Sequence, residues 1–288
     1  MVAAGLSFVV VMFMSAAAKI IWIASYPKSG NTWMRMLVGN YMYGAAATPM
    51  PLNEIGAHIP ADRDETLYRG YCLRHQLSFD EVAPSLAHRD AMYAELLAAK
   101  GPMFIKTHAC NHEQNGTAYY PPARTHGTIL IVRDPRDVVL SFAHHTQRTP
   151  DQALAMMRDQ NFVATQNGMT EFLSSWDQHT KSFLGMQTPK MIIRYEDLLA
   201  DAAAVLRRVL SAFGEEVDEA RLQECVKFSA FDSLKSQEGK DGFVENPNAG
   251  QSFFRAGTAN QWQQNMTPEL VDATQAAFGP VMEQLGYL

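Results

Sequence analysis

The sequence predicts a three-layer α/β fold around a central parallel sheet, and three stretches of chain carry that prediction. Each is an apolar, β-branched run that leads through a short loop into a helix-like stretch. They are residues 19–25 followed by the loop 26–30 and the stretch 31–41, residues 128–132 followed by Arg133 and the stretch 136–145, and residues 190–194 followed by the loop 195–197 and a helix ending near Gly214. Strands that stay apolar along their length and alternate with helices belong to parallel sheets covered on both faces. Ligands of such sheets sit where the strands' carboxyl ends meet helix N-termini.

A chain of 288 residues, 47% of them apolar, has enough material for one large core, so residues 19–288 read as a single domain. The formal net charge of -6 gives no support to nucleic-acid binding; an anionic cofactor would have to be held by a few well-placed cations. Cys72, Cys110 and Cys225 stand singly, which argues against a disulfide framework or a zinc site and suits a reducing, cytoplasmic setting. Residues 1–18 form an apolar extension ended by Lys19. It lacks a positive leading region and is slightly short of the roughly 20 residues that span a bilayer. Cleavage after Ala18 would leave a chain starting in a core strand, so Met14 is expected to be the native start and no membrane partner is expected. Residues 44–100 mix Pro, His and Arg with short helical patterns and read as an insertion on the acceptor side of the site. Residues 232–256, rich in Gly, Asn, Gln and Ser, read as a lid, and Thr267-Pro268-Glu269 opens a last helix with a good cap.

The first loop has its own chemistry. Pro27 stiffens the strand exit, Gly30 permits a tight turn, and Asn31 and Thr32 start a helix whose unpaired N–H groups point outward. That is an anion-binding concavity, to which Lys28 adds a mobile positive charge. A Walker A loop, GxxxxGK[ST], is absent. Trp33 follows with a flat face for a purine. The segment Tyr26-Pro27-Lys28-Ser29-Gly30-Asn31-Thr32-Trp33 resembles the 5′-phosphosulfate loop YPKSGTTW of the sulfotransferases that use 3′-phosphoadenosine-5′-phosphosulfate (PAPS), with Asn31 in place of a threonine. The resemblance implies the P-loop-like sulfotransferase fold and PAPS as co-substrate, bound here by Lys28, Ser29, Gly30, Asn31, Thr32 and Trp33.

Other motifs extend the resemblance. Residues 133–141, RDPRDVVLS, are similar to the family's 3′-phosphate motif, which would make Arg133 and the Ser141 hydroxyl ligands of that phosphate. Arginine suits bidentate phosphate recognition. Read alone, the same residues are equally a charged helix start, with Asp134 as N-cap, Pro135 first in the helix, and Arg136 and Asp137 pairing locally. Residues 253–262, FFRAGTANQW, are similar to the family's RKGxxGDW segment, which closes over the nucleotide. By that match Arg255, Ala256 and Gly257 lie on the 3′-phosphate, with Ala256 where lysine is usual, so that one phosphate contact is missing. Tyr195, Ser229 and Phe231 occupy places where the family contacts adenine; as residue types they could equally pack the core.

Phe104-Ile105-Lys106-Thr107-His108 resembles the family's KTH element, whose histidine is the general base. A hydroxyl acceptor is a poor nucleophile until its proton leaves, and histidine titrates near the working pH. Lys28 and Lys106 would balance charge on the bridging and sulfuryl oxygens during in-line transfer, with no metal required. A lone histidine in a loop is commonly just hydrogen-bonded or solvated, and His58, His75, His112, His144 and His145 are rival bases. The His144-His145 pair has no third ligand at zinc spacing. Two other functions bear weighing. A small-molecule kinase or other P-loop transferase needs Mg²⁺ ligands and a Walker lysine, and Lys28 is in the wrong register. A non-catalytic nucleotide-binding relative would be expected to lack Lys28 or His108. The loop spellings resemble the bacterial small-molecule branch of soluble sulfotransferases more than the carbohydrate-modifying Golgi forms. The implied partner is a small molecule bearing a hydroxyl or amine. Tyr68, Tyr71, His75, Met92 and Tyr93 would either line its pocket or pack the core. No copy of the family's short C-terminal dimerisation element is visible.

Overall fold

Four parallel strands form the centre of the protein: β1 (Ile20–Ser25), β2 (Met103–Thr107), β3 (Thr125–Val132) and β4 (Lys190–Arg194), in the spatial order β2-β1-β3-β4. The computed structural model describes residues 19–288 apart from 46, 167 and 249, so the expectation about residues 1–18 lies outside the described residues. Every residue of β1 is buried, as its apolar run Ile20–Ala24 requires of a strand flanked and covered on both sides. Alternation along the strands sorts two cores. Trp22, Ala24, Leu130 and Val132 face one layer of helices, and Ile21, Ile23, Ile129 and Ile131 face the other.

The helices, leaving one-turn segments unlabelled, are α1 (Asn31–Met42), α2 (Glu65–His75), α3 (Leu86–Lys100), α4 (Pro135–Thr146), α5 (Pro150–Arg158), α6 (Trp176–Leu184), α7 (Tyr195–Ala200), α8 (Ala202–Ala212), α9 (Glu219–Phe228), α10 (Phe231–Asp241) and α11 (Pro268–Leu285). Helices α1, α8 and α9 cover one face of the sheet; α4, α6 and α11 cover the other. Local chemistry sets their ends. Asp134 accepts from the Arg136 N–H ahead of Pro135, and Thr267 accepts from the Leu270 N–H ahead of Pro268. Each such cap is worth about 1 kcal/mol.

Two expectations need correction. Residues 195–197 are the first turn of α7, not a loop; the break comes at Asp201, whose side chain accepts from the Ala204 N–H and starts α8. Residues 232–241 are helical because Leu234 buries itself against Met36 and Leu52, so the irregular part of the lid begins at Gly242. The residues 44–100 include α2 and α3, where Tyr68, Tyr71, Met92 and Tyr93 join the core around Trp22 and not the cavity wall. A hairpin unforeseen in the sequence, Val163–Gln166 paired with Met169–Phe172, stands beside the ends of the strands. No helix among the described residues is long and apolar enough to cross a membrane.

Candidate active site

Sheet register puts the chemistry on one rim. Ala24 pairs with Thr107 and Leu130, Ser25 with Ile131, and Val132 with Arg194, so the strands end almost level. The next residues in each case are the Tyr26–Gly30 loop, His108, Arg133 and Tyr195. They surround a cavity of about 430 Å³, a size typical of small-molecule sites.

The first loop is bent by two residues in the left-handed region, Lys28 at φ 69° and Gly30 at φ 105°. That conformation costs a lysine about 1–2 kcal/mol and glycine almost nothing. A Cβ on Gly30 would also stand 2.8 Å from Tyr195 Cδ2. The bend turns the start of α1 toward the cavity, with Asn31, Thr32 and Trp33 on its wall. Asn31 explains its departure from the family's threonine: its Nδ2 donates to the Ile23 carbonyl at 2.9 Å, to Ser25 Oγ at 3.3 Å and to the Thr107 carbonyl at 3.5 Å. It ties the ends of β1 and β2 together.

Lys28, Lys106, Arg133 and Arg255 all line the cavity. Burial, then Arg133, Lys106 and Arg255, push the Lys28 pKa down to about 8, and the ammonium rests 4.2 Å over the Phe253 ring. Arg133 donates to the Lys28 carbonyl at 3.2 Å and the Thr258 carbonyl at 3.0 Å, and lies 4.3 Å over the Tyr195 ring. Its Nε, like Trp33 Nε1, is buried with no partner in the protein. Buried donors without acceptors are costly, about 1–3 kcal/mol each. Crowded cations and spare donors on one wall are what a polyanionic nucleotide would relieve. Asp134 and Arg136 pair at 2.7 Å, and Asp137 accepts from Arg133 at 3.4 Å and from the Trp262 N–H at 3.0 Å, so these three shape the loop.

His108 is held on all sides. Its Nδ1 lies 2.8 Å from the Ser25 carbonyl, which can only accept, so Nδ1 carries the proton and Nε2 the lone pair. Its backbone N–H donates to Glu171 Oε1 at 2.9 Å, and its carbonyl accepts from His179 Nε2 at 3.1 Å. Below the turn, buried Asp62 accepts from Thr107 Oγ1 at 2.7 Å and from the Tyr119 hydroxyl at 2.8 Å. Burial and then Lys106 hold the imidazole pKa well below its ordinary value, which keeps it neutral.

Residues 19–286 match the family model described as "Sulfotransferase domain". The chain belongs to the sulfotransferase family. It is 23% identical to a luciferin sulfotransferase of Photinus pyralis, covering 87% of this chain and 68% of that protein. To human sulfotransferase 1C2 it is 24% identical, covering 85% and 77%. Among solved structures it is similar to a retinol dehydratase in complex with androsterone and the inactive cofactor PAP (TM-score 0.60, 19% identity, 93% of this chain and 82% of that one). A mouse sulfotransferase complexed with PAP gives a TM-score of 0.61 at 17% identity, over 94% and 86%. These structures establish the shared sulfotransferase fold.

Most sequence-predicted site residues of this sulfotransferase meet at the cavity: Lys28, Gly30, Asn31, Thr32, Trp33, Lys106, His108, Arg133, Ser141, Tyr195, Phe231, Arg255, Ala256 and Gly257. Gly257 sits at φ 62°, where a Cβ would be 2.3 Å from Phe231 Cδ2, so it closes directly over that ring. Ser29 is buried within the loop. Ser229 is set apart: it is fully buried, off the cavity wall, and accepts from Asn40 Nδ2 at 3.1 Å. Of the rival histidines only His145 reaches the wall, its pKa pushed down to about 4 by burial, Lys28 and Lys106. His75 pairs with Glu95 and His58 stacks on Tyr43.

Sequence reasoning missed the other half of the wall. Among the described residues of 44–100 only Arg63 lines the cavity, paired at 2.9 Å with buried Glu171 from the hairpin. Phe142, Phe162 and Leu173 supply the apolar surface beside them. Glu245 reaches in from the lid. Burial pushes its pKa up, but Lys106 and Arg35 more than offset this and hold the carboxyl far below the usual range. A charge such as Arg35 inside the apolar run of α1 was a readable signal that some acid must come to meet it.

Proposed function

We propose that this sulfotransferase moves the sulfuryl group of PAPS to a hydroxyl or amine of a small-molecule acceptor. One observation carries the reading: Lys28, Lys106 and Arg133 face the same cavity as a neutral histidine whose proton-bearing nitrogen is already committed. The named ligands of similar proteins, PAP, retinol, androsterone and luciferin, support the donor and the class of acceptor.

Bound PAPS supplies an activated sulfuryl group on a phosphosulfate bond. Lys28 and the N-terminal amides of α1, with Ser29, Gly30 and Thr32, hold the 5′-phosphosulfate. Arg133, Ser141 and the segment Arg255-Ala256-Gly257 hold the 3′-phosphate. Trp33, Tyr195 and Phe231 take the adenine. His108 Nε2 receives the acceptor's proton, Lys106 neutralises charge on the sulfuryl oxygens, and Lys28 does so on the bridging oxygen as the bond to phosphorus-bound oxygen opens. Phe142, Phe162 and Leu173 exclude water around the acceptor.

Titration with PAP against ATP–Mg²⁺, followed by a radiolabelled PAPS screen over phenols, alcohols and amines, tests the reading. His108→Ala is expected to lower turnover by about a hundredfold or more with PAP affinity retained. A folded protein with no affinity for PAP would refute the donor; near-normal turnover of the variant would remove His108 from the role.

A further inference from the structure

The lid brings a carboxylate into a cluster of cations. Arg35, on α1 behind the donor loop, has a side chain with 0% exposure. Its guanidinium grips Glu245 with two bonds of 2.8 Å and donates a third, of 2.7 Å, to the Ile59 carbonyl. A bidentate grip of this kind fixes the plane of the carboxylate. Glu245 Oε2 then lies 3.4 Å from Lys106 Nζ. The lid backbone is anchored at the same point, since the Val244 N–H donates to Asn53 Oδ1 at 2.9 Å.

Lysine has a flexible stem and three equivalent donors, so its direction must be imposed from outside. A carboxylate that cannot itself rotate imposes it: one N–H of Lys106 is engaged by Glu245, and the others remain for the cavity, which both residues line. We propose that Glu245 is a positioning residue, through which Arg35 and the closed lid aim the Lys106 ammonium at the reacting group. This rests on the role given to Lys106 above. It makes the charge stabilisation by Lys106 conditional on segment 242–246 lying across the site.

A purely structural role, as counter-ion to Arg35 alone, is the competing explanation, and two variants of the full chain separate them. Glu245→Gln keeps the shape of the side chain and removes its charge. Arg35→Met combined with Glu245→Met removes both charges, a replacement that buried ion pairs often tolerate. Acetylation of Lys106 by acetic anhydride, read by mass spectrometry against Lys190, is expected to speed up about threefold in both variants, the size of one lost partly exposed ion pair. With PAPS and para-nitrophenol, turnover of the double variant is expected to fall roughly tenfold to a hundredfold, as for a misplaced catalytic group. Its melting temperature and PAP affinity should stay near those of the parent. Wild-type rates of Lys106 acetylation in both variants, or full turnover in the double variant, would overturn the proposal. A parent protein that neither binds PAP nor transfers sulfuryl groups would refute the proposed function instead. The labelling comparison still decides the Glu245–Lys106 link in that event, and Glu245→Gln alone decides it if the double variant fails to fold.

Discussion

Raising the pH should weaken nucleotide binding through Lys28. Its pKa falls from 10.5 to about 8, because burial and the neighbouring Arg133, Lys106 and Arg255 disfavour the ammonium. At about 1.4 kcal/mol per pH unit, the free protein carries roughly 3 kcal/mol of penalty for keeping that proton. Below about pH 8 Lys28 is charged and ready for an anion. Above it, the free protein has lost the charge, and a bound nucleotide must draw the proton back. The dissociation constant for PAP is therefore expected to be flat up to about pH 8 and then to rise by up to tenfold per pH unit. Calorimetric titrations at about pH 7 and about pH 9, each in two buffers of different ionisation enthalpy, measure both the affinity and the proton uptake. Lys28→Arg, whose charge does not titrate in this range, should flatten the curve. The same shift has a stability side. The penalty is present below the folded pKa and fades as pH rises toward the unfolded value, so Lys28→Met should make the ligand-free protein more stable near neutral pH. Equal PAP affinity at both pH values without proton uptake, or an unchanged alkaline limb in Lys28→Arg, would refute this reasoning.

Two further outcomes follow from the same wall. Arg133→Lys should cost roughly tenfold in PAP affinity by isothermal calorimetry, since one ammonium cannot reach the Lys28 and Thr258 carbonyls and still present a planar fork to a phosphate. Gly257→Ala should push the lid off the Phe231 ring, weakening PAP binding and lowering the melting temperature, because its Cβ would stand 2.3 Å from Phe231 Cδ2 and alanine is strained at φ 62°.

The strands and the phosphate loops were legible because each depends on local chemistry. Residues 20–24 are apolar at every position and, with Ser25, fold as a strand buried on both faces. Asp134 and Pro135 cap α4 as their types require. Spelling alone could not say which residues turn inward once distant segments meet. The resemblance sets Asn31, in place of a threonine, among the residues that bind PAPS. Its amide nitrogen turns back to the ends of β1 and β2, because three acceptors converge there from segments up to 76 positions away. Ser229, which its residue type left open between adenine and core, packs inward for a similar reason: helix α1 presents Asn40 to it, a contact no local pattern encodes. The acid Glu245 was one of several in a polar stretch, and only the burial of Arg35 singles it out. The hairpin carrying Glu171 is too short, and too mixed in polarity, to show a period of its own.

Arg133 and Asp137 hold more than each other. The Thr258 carbonyl hangs from the arginine and the Trp262 amide from the aspartate, so both ends of the stretch between them are fastened to one turn of α4 and the residue that leads into it. That flap cannot swing away without tugging on Arg133. Opening of the flap and loosening of Arg133 are thereby a single event.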